Sequence, residues 1–319
     1  MSRSEYKRSK KMGLPTKILL WLIGILVILA IVAVIYLAFK IFSVGNSIHN
    51  PLDKNKSELR DKKVNLNNGD PFTIALLGVD SDAERNANGG GQRSDSIMVI
   101  SMNPDKKTSE IVSIPRDTQA EIVGHGSTEK INHAHAYGGP DMAVKSLEKL
   151  LDVPIDHYAT IDMDGMKDMI DTLGGIDVVS NATFSYNGAS FVEGEKSHMD
   201  GEQAMAFIRS RKESGAGGDF GRQERQQLVM QGIANKLTST KSITHFNGIM
   251  DHIKDNVTTD LSLGDLTKIR SKYKDANETV NRNQLDGQGG IQDDGLYYFI
   301  PSESSLSDIQ NKIKDNLEI

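Results

Sequence analysis

Between residues 18 and 39 the chain runs for 22 residues without a charged side chain, mostly in leucine, isoleucine, valine and alanine. A helix of that length rises through about 30 Å, the thickness of a bilayer's hydrocarbon core, and helical geometry lets one apolar segment satisfy its own backbone there. The run predicts one transmembrane helix. Ahead of it, Arg3, Lys7, Arg8, Lys10, Lys11 and Lys17 stand against Glu5 alone. That positive excess predicts a short cytoplasmic tail over residues 1–17 and an extracellular position for everything beyond the span. A cleaved signal peptide is the competing reading. It is disfavoured because the run exceeds the roughly 7–15 residues of an apolar signal region and no small-x-small cleavage site follows it.

The chain carries a formal charge of −6, and because residues 1–17 carry +5 the remainder carries −11. Non-specific binding to a polyphosphate backbone needs the opposite sign, so nucleic acid is not an expected partner. There is no cysteine, which excludes a disulfide scaffold, a thiolate nucleophile and a thiolate-bound zinc. Chemistry must come from hydroxyls, carboxylates, His, Lys or Arg.

Residues 40–70 are rich in Asn, Lys, Asp and Ser and show no apolar period, which predicts a stalk or linker. Residues 72–80 then form a nearly continuous apolar run, as expected of a strand covered on both faces. Strand patterns follow at 96–101, 110–114, 158–161, 176–179 and 296–300. Helical patterns fall at 141–151, 165–173, 201–208, 223–237, 263–273 and 305–317, and the polar, Gly-rich stretch 277–295 reads as a surface loop. This alternation predicts an α/β domain, a three-layer helix-sheet-helix sandwich, with a core over 71–240 and a C-terminal part of the same domain over 241–319.

Of nine arginines after residue 60, seven fall in three short segments: Arg85 and Arg93; Arg116; and Arg209, Arg211, Arg222 and Arg225. The planar, permanently charged guanidinium fork suits phosphate, so such clustering in an acidic domain suggests a local anion site. Surface ion pairs with Glu213, Asp219 and Glu224 are the plainer reading of any one of them. The turn from Gly215 to Gly221 precedes a helical pattern, whose free N–H groups also suit phosphate, although no Gly-Lys-Ser/Thr follows as in a Walker A loop. Asp80 closes one strand pattern and Asp95 precedes the next. Two such carboxylates with a bound phosphate would suit Mg²⁺, while capping a turn is the ordinary job of an Asp. His133 and His135 have no third ligand at a zinc spacing, and no Gly-x-Ser-x-Gly elbow is present.

The ordered blocks Gly-Val-Asp80, Arg93-Ser-Asp95-Ser-Ile, Ser-Ile-Pro-Arg116-Asp117-Thr, Lys130-Ile-Asn132-His-Ala, Ile-Arg209-Ser-Arg211 and Gly-Asp219-Phe-Gly-Arg222-Gln223-Glu-Arg225-Gln, behind one span, resemble the LytR-CpsA-Psr family over residues 72–235. The resemblance implies a membrane-anchored transferase of Gram-positive bacteria. Such an enzyme moves an anionic glycopolymer, wall teichoic acid or capsular polysaccharide, as glycosyl phosphate from a polyprenyl-pyrophosphate carrier to a muramic acid hydroxyl of peptidoglycan. It implies further that Asp80 and Asp95 hold Mg²⁺ or Mn²⁺ and that Arg93, Arg116, Lys130, Arg209, Arg211, Arg222, Gln223 and Arg225 surround the pyrophosphate. Arg116, Asp117 and Asp95 are then the catalytic candidates, with Asp117 or Asp95 taking the proton. Where many members carry Arg shortly after Gly-Val-Asp, this chain has Asp82, with Arg85 later. For the lipid, Met142, Val144, Leu147, Leu150, Leu151, Met163, Met166 and Met169 could line an apolar cavity, or simply fill a core. A polyprenyl-pyrophosphate phosphatase and a non-catalytic envelope regulator of the transcription-attenuator type are the alternatives.

Overall fold

The computed structural model describes residues 31–32, 34–54, 56–80, 91–237 and 246–319. The chain divides into two units, Met1–Ser43 and Val44–Ile319. In the first, residues 34–43 are helical and Val34, Ile35, Tyr36, Phe39 and Phe42 are exposed. The cytoplasmic tail and most of the predicted span lie outside the described residues, and among those described no helix is long and apolar enough to cross a membrane.

The second unit begins earlier than the predicted stalk allows. Val44, Ile48 and Leu66 are buried, Asn50 N–H donates to the Thr259 carbonyl at 2.7 Å, and the Tyr158 hydroxyl donates to the Asn50 carbonyl at 2.8 Å. Arg60 sits 2.6 Å from Asp156, with both side chains nearly buried. Residues 44–70 are therefore part of the folded domain. Their polar composition concealed this because the segment is held by hydrogen bonds and ion pairs more than by an apolar stripe.

The central sheet runs β11-β6-β1-β2-β3-β12. Its members are β1 (Phe72–Asp80), β2 (Arg93–Asn103), β3 (Thr108–Ile114), β6 (His157–Asp162), β11 (Val257–Thr259) and β12 (Thr279–Gln284). β1 is parallel to β6 and antiparallel to β2, and β12 is parallel to β3. Two-stranded ribbons are added by β4 (Gln119–Ile122) with β5 (Ser127–Lys130), β7 (Ile176–Val179) with β10 (Lys196–Met199), β8 (Phe184–Tyr186) with β9 (Ala189–Phe191), and β13 (Gly287–Ile291) with β14 (Tyr297–Pro301). The helices are α1 (His133–Leu151), α2 (Met163–Thr172), α3 (Gly201–Arg209), α4 (Gly218–Leu237), α5 (Phe246–Asn256), α6 (Leu263–Lys272) and α7 (Glu303–Leu317).

The strands alternate their side chains between two helical layers. Leu77, Val79, Ile97, Val99, Val112 and Ile114 pack on one face against α1 and α7. A second core joins α2, α3, α4 and α5 to each other, with Ile161 the sheet residue packed against it. The protein is thus a mixed α/β domain with helices on both faces of a central sheet. The expected loop at 277–295 instead contains β12 and β13. β12 is a polar edge strand whose Asn281 and Asn283 amides donate to Glu110 at 2.6 and 2.8 Å, and edge strands need no apolar alternation. Helix α1 starts eight residues before the predicted 141, because it is broken at Gly138 and Gly139, the latter at φ +61°, just before Pro140.

Candidate active site

One end of the sheet collects the charged motifs. β1 and β6 run toward this end, β3 leaves it through Pro115 into Arg116, and β2 begins there. Asp80 pairs in register with Arg93, and Val79 with Ser94, but Gly78 pairs with Ser96. Asp95 is therefore the extra residue of a β-bulge, a device that re-aims a side chain at a strand end. Gly78 is required beside it: a Cβ there would lie 2.8 Å from Met163 Sδ and 2.9 Å from Ser96 Cβ.

Arg116 lies between two carboxylates, with Nη1 3.0 Å from Asp95 and Nε 3.7 Å from Asp117. Burial works against its charge, but Asp95 and Asp117 outweigh burial and hold its pKa above the ordinary arginine value. Asp117 also takes Lys130 at 3.0 Å, and Lys130 stands 5.9 Å over the Tyr298 ring. From the start of α4, Asp219 reaches Arg222 at 2.7 Å and Arg211 at 3.3 Å, and accepts a 3.1 Å hydrogen bond from Gln223. Burial lowers the pKa of Arg222, the nearby charges of Arg116 and Arg211 add to this, and Asp219 opposes it. Arg93, Asp95, Arg116, Asp117, Lys130, Arg211, Arg222 and Gln223 thus converge with Asp80. The surface-pair reading is correct in one respect: Asp219 partners two of these arginines.

The other two expected pyrophosphate ligands differ from these and from each other. Arg209 is exposed and faces Asp164 at 3.6 Å. Arg225 is wholly buried, donating to the carbonyls of Phe207 (2.8 Å), Ala216 (2.8 Å) and Ser210 (2.7 Å), with its guanidinium 4.7 Å from the Phe184 ring centre. Burial lowers its pKa to about 10. Its fork is spent on backbone, so Arg225 fixes the loop after α3 rather than facing a ligand. The family block places it three residues from Arg222, but on a helix that spacing need not give one face a common environment. Arg85 lies outside the described residues.

Asn132 is a site residue to which the sequence reading assigned no role. It is buried, its Nδ2 donates to Asp95 at 3.4 Å, and its Oδ1 has no partner. Its place in the Lys130-Ile-Asn132 block was the available signal. His133 and His135 do not pair: His133 Nδ1 is 2.8 Å from Glu129, and His135 Nδ1 is 2.8 Å from the Gln92 carbonyl. Among the described residues no group of three or more His, Asp or Glu side chains is arranged to hold a metal by itself.

Partial burial pushes the Glu129 carboxyl up, but hydrogen bonds from Ser127, His133 and Tyr137 outweigh it and bring it down to about 2 from 4.5. A carboxylate so depressed stabilises the fold above its unfolded pKa, and the contribution is lost as pH falls toward 2. Glu129→Gln is expected to remove roughly 1–3 kcal/mol at neutral pH and to flatten the decline in stability between about pH 5 and pH 2. Urea unfolding across that range checks it, and an unchanged slope refutes it.

Beside the charged cluster, a narrow apolar cleft lies between the sheet and α2, α3 and α4, lined by Leu76, Gly78, Met98, Met163, Met166 and Val229 among others. Of the residues expected to line a lipid cavity, only Met163 and Met166 do. Val144, Leu147 and Leu151 are core on the opposite face of the sheet, with Met142 and Leu150 packed against them, and Met169 is buried in the second core.

The family's sequence model, LytR_cpsA_psr, matches residues 35–315. This chain belongs to that family. It is 44% identical over 315 residues, 99% of both chains, to a Bacillus licheniformis protein named polyisoprenyl-teichoic acid–peptidoglycan teichoic acid transferase TagU. The crystal structure of Bacillus subtilis TagU superposes with a TM-score of 0.63 at 37% identity, covering 78% of this chain and 98% of that one. A structure of TagT bound to LIIa-WTA superposes at 0.68 with 29% identity, covering 85% of this chain and all of that one. Members of the LytR_cpsA_psr family with these likenesses share the sheet and helical layers described above.

Proposed function

We propose that this chain is a transferase that moves a teichoic-acid-type glycopolymer, as glycosyl phosphate, from a polyprenyl-pyrophosphate carrier to a muramic acid hydroxyl of peptidoglycan. One observation carries the reading beyond likeness. Among the described residues, the buried side-chain polar atoms without a partner are Arg93 Nε, Ser94 Oγ, Asn132 Oδ1, Arg222 Nε, Gln223 Oε1 and Gln227 Oε1. An unmade buried hydrogen bond costs about 1–3 kcal/mol, so their concentration in the motif blocks marks a place prepared for a polar ligand. Two are arginine donors beside a cluster of further cations, which suits the oxygens of a pyrophosphate.

Phosphoryl transfer needs positioning and charge stabilisation more than covalent help. Arg93, Arg116, Lys130, Arg211 and Arg222 would hold the pyrophosphate, and the apolar cleft would receive the start of the polyprenyl tail. The acceptor hydroxyl attacks the sugar-linked phosphorus, its proton passes to Asp95 or Asp117, and polyprenyl phosphate leaves. Asp80 and Asp95 would hold Mg²⁺ or Mn²⁺; two carboxylates at adjoining strand ends, completed by phosphate oxygens, are a donor set that fits a hard cation. When bound, such an ion neutralises charge on phosphate oxygens. We further propose that residues 18–39 anchor the protein in the cell membrane with the domain outside, where peptidoglycan lies.

The test uses the full chain in detergent micelles with Mg²⁺, a short-chain polyprenyl-pyrophosphate glycan and a peptidoglycan oligomer, followed by mass spectrometry. A glycan-phosphate adduct on peptidoglycan, lost in Asp80→Ala, is the expected result. Free glycan phosphate without adduct would instead mean a phosphatase.

A further inference from the structure

On one flank the charged cluster ends in stacked rings for which the chemistry above has no use. Tyr137 lies in the short segment of α1 before the Gly138–Gly139 break. Its ring stacks on His125, centroids 4.0 Å apart and planes 15° apart, and meets His133 edge-on at 5.9 Å. Glu129 ties the group together: it accepts from the Tyr137 hydroxyl at 2.9 Å and lies 2.8 Å from His133 Nδ1 and 3.8 Å from His125 Nδ1. Tyr137 is nonetheless 46% exposed. A ring held by two stacking partners and a carboxylate, yet open to water, is a preorganised surface. It also borders the reaction centre, because Lys130 follows Glu129 in β5, Asn132 precedes His133, and the Arg93 charge acts on the Tyr137 hydroxyl.

A fixed aromatic face beside a group-transfer centre suits a sugar. The C–H bonds on the apolar side of a pyranose meet the electron-rich ring while its hydroxyls stay solvated. We propose that Tyr137, backed by His125, is the platform on which a pyranose ring of the acceptor glycan rests. This rests on the transfer reaction proposed above, and the geometry of that reaction chooses acceptor over donor. In-line displacement brings the attacking hydroxyl in opposite the leaving polyprenyl phosphate. The apolar cleft lies under α2, α3 and α4 on one face of the sheet, whereas the body of α1 packs on the other. Tyr137 stacks on His125 in the turn of the β4–β5 ribbon, whose Ala120 and Ile122 belong to the α1 side of the core, so a sugar on it approaches from the side away from the lipid.

Steady-state transfer by the full chain in micelles, with acceptor and donor varied separately, tests the assignment. Tyr137→Ala should raise the acceptor KM about tenfold, the order of one aromatic contact, with kcat and donor KM little changed. Tyr137→Phe, which keeps the ring and loses the bond to Glu129, should stay near the parent. Binding of a soluble N-acetylglucosamine–N-acetylmuramic acid oligomer, followed by saturation-transfer NMR, gives a readout independent of turnover. Loss of that binding in Tyr137→Ala, with inorganic pyrophosphate binding kept, supports the platform even where no transfer product forms, a result that would sink only the transfer reading. An unchanged acceptor KM, a rise confined to the donor, or a Tyr137→Phe protein as impaired as Tyr137→Ala overturns it.

Discussion

Arg116→Ala is expected to lower the rate of glycopolymer transfer by about 10²–10³-fold, the usual consequence of removing one preorganised donor from a site where charge develops. The loss should exceed that of any other single arginine here, because Arg116 touches both candidate bases, Asp95 at 3.0 Å and Asp117 at 3.7 Å. Arg116→Lys keeps the charge but loses the fork that spans two carboxylates, and should recover only part of the rate. The fold should survive both changes, since the side chain is about a third exposed. Product formation measured beside circular dichroism decides the matter, and a folded Arg116→Ala protein with undiminished transfer would remove Arg116 from the mechanism.

Arg225→Ala is expected to act on stability instead. Three backbone carbonyls, of Phe207, Ser210 and Ala216, would lose their donors inside the protein, and the space beside Phe184 would empty. Breaking a buried charged network of this kind costs about 3–5 kcal/mol, on the order of 10 °C in melting temperature for a domain of this size. Arg225→Lys should fail to rescue it, because a single ammonium cannot reach three carbonyls at once. A thermal melt unchanged from the parent, combined with lost pyrophosphate binding, would return Arg225 to the ligand.

The contrast between these two arginines shows where sequence reasoning stops. Both stand in ordered motif blocks, and nothing in residue type or spacing separates a guanidinium that faces solvent from one spent on backbone. The 72–80 run and the helix at 201–208 appear within a residue or so of their expected bounds because their apolar residues are buried, whereas the helix at 263–273 buries none of its residues and starts at a Ser262–Asp265 capping box. Elements held by polar contacts to distant parts of the chain were not legible. Residues 44–70 bind through Arg60 and the Asn50 backbone, and β12 through Glu110, none of which leaves an apolar period. In the site, the carboxylates and cations were recognisable by type, whereas the Asp95 bulge and the buried Asn132 amide depend on register and burial.

The mutual pairing inside the cluster shapes how it meets ions in solution. Five cations, Arg93, Arg116, Lys130, Arg211 and Arg222, stand among four carboxylates, Asp80, Asp95, Asp117 and Asp219, and leave a net of one positive charge. The Nε donors of Arg93 and Arg222 are open to an arriving anion, but one that contacts Arg116, Lys130 or Arg211 must trade places with a carboxylate already there. A monovalent ion gains little by that exchange, while a ligand with two adjoining charges can replace two partners together. The resting cluster therefore sorts anions by valence, and its attraction at a distance weakens with ionic strength as that of about one charge rather than five.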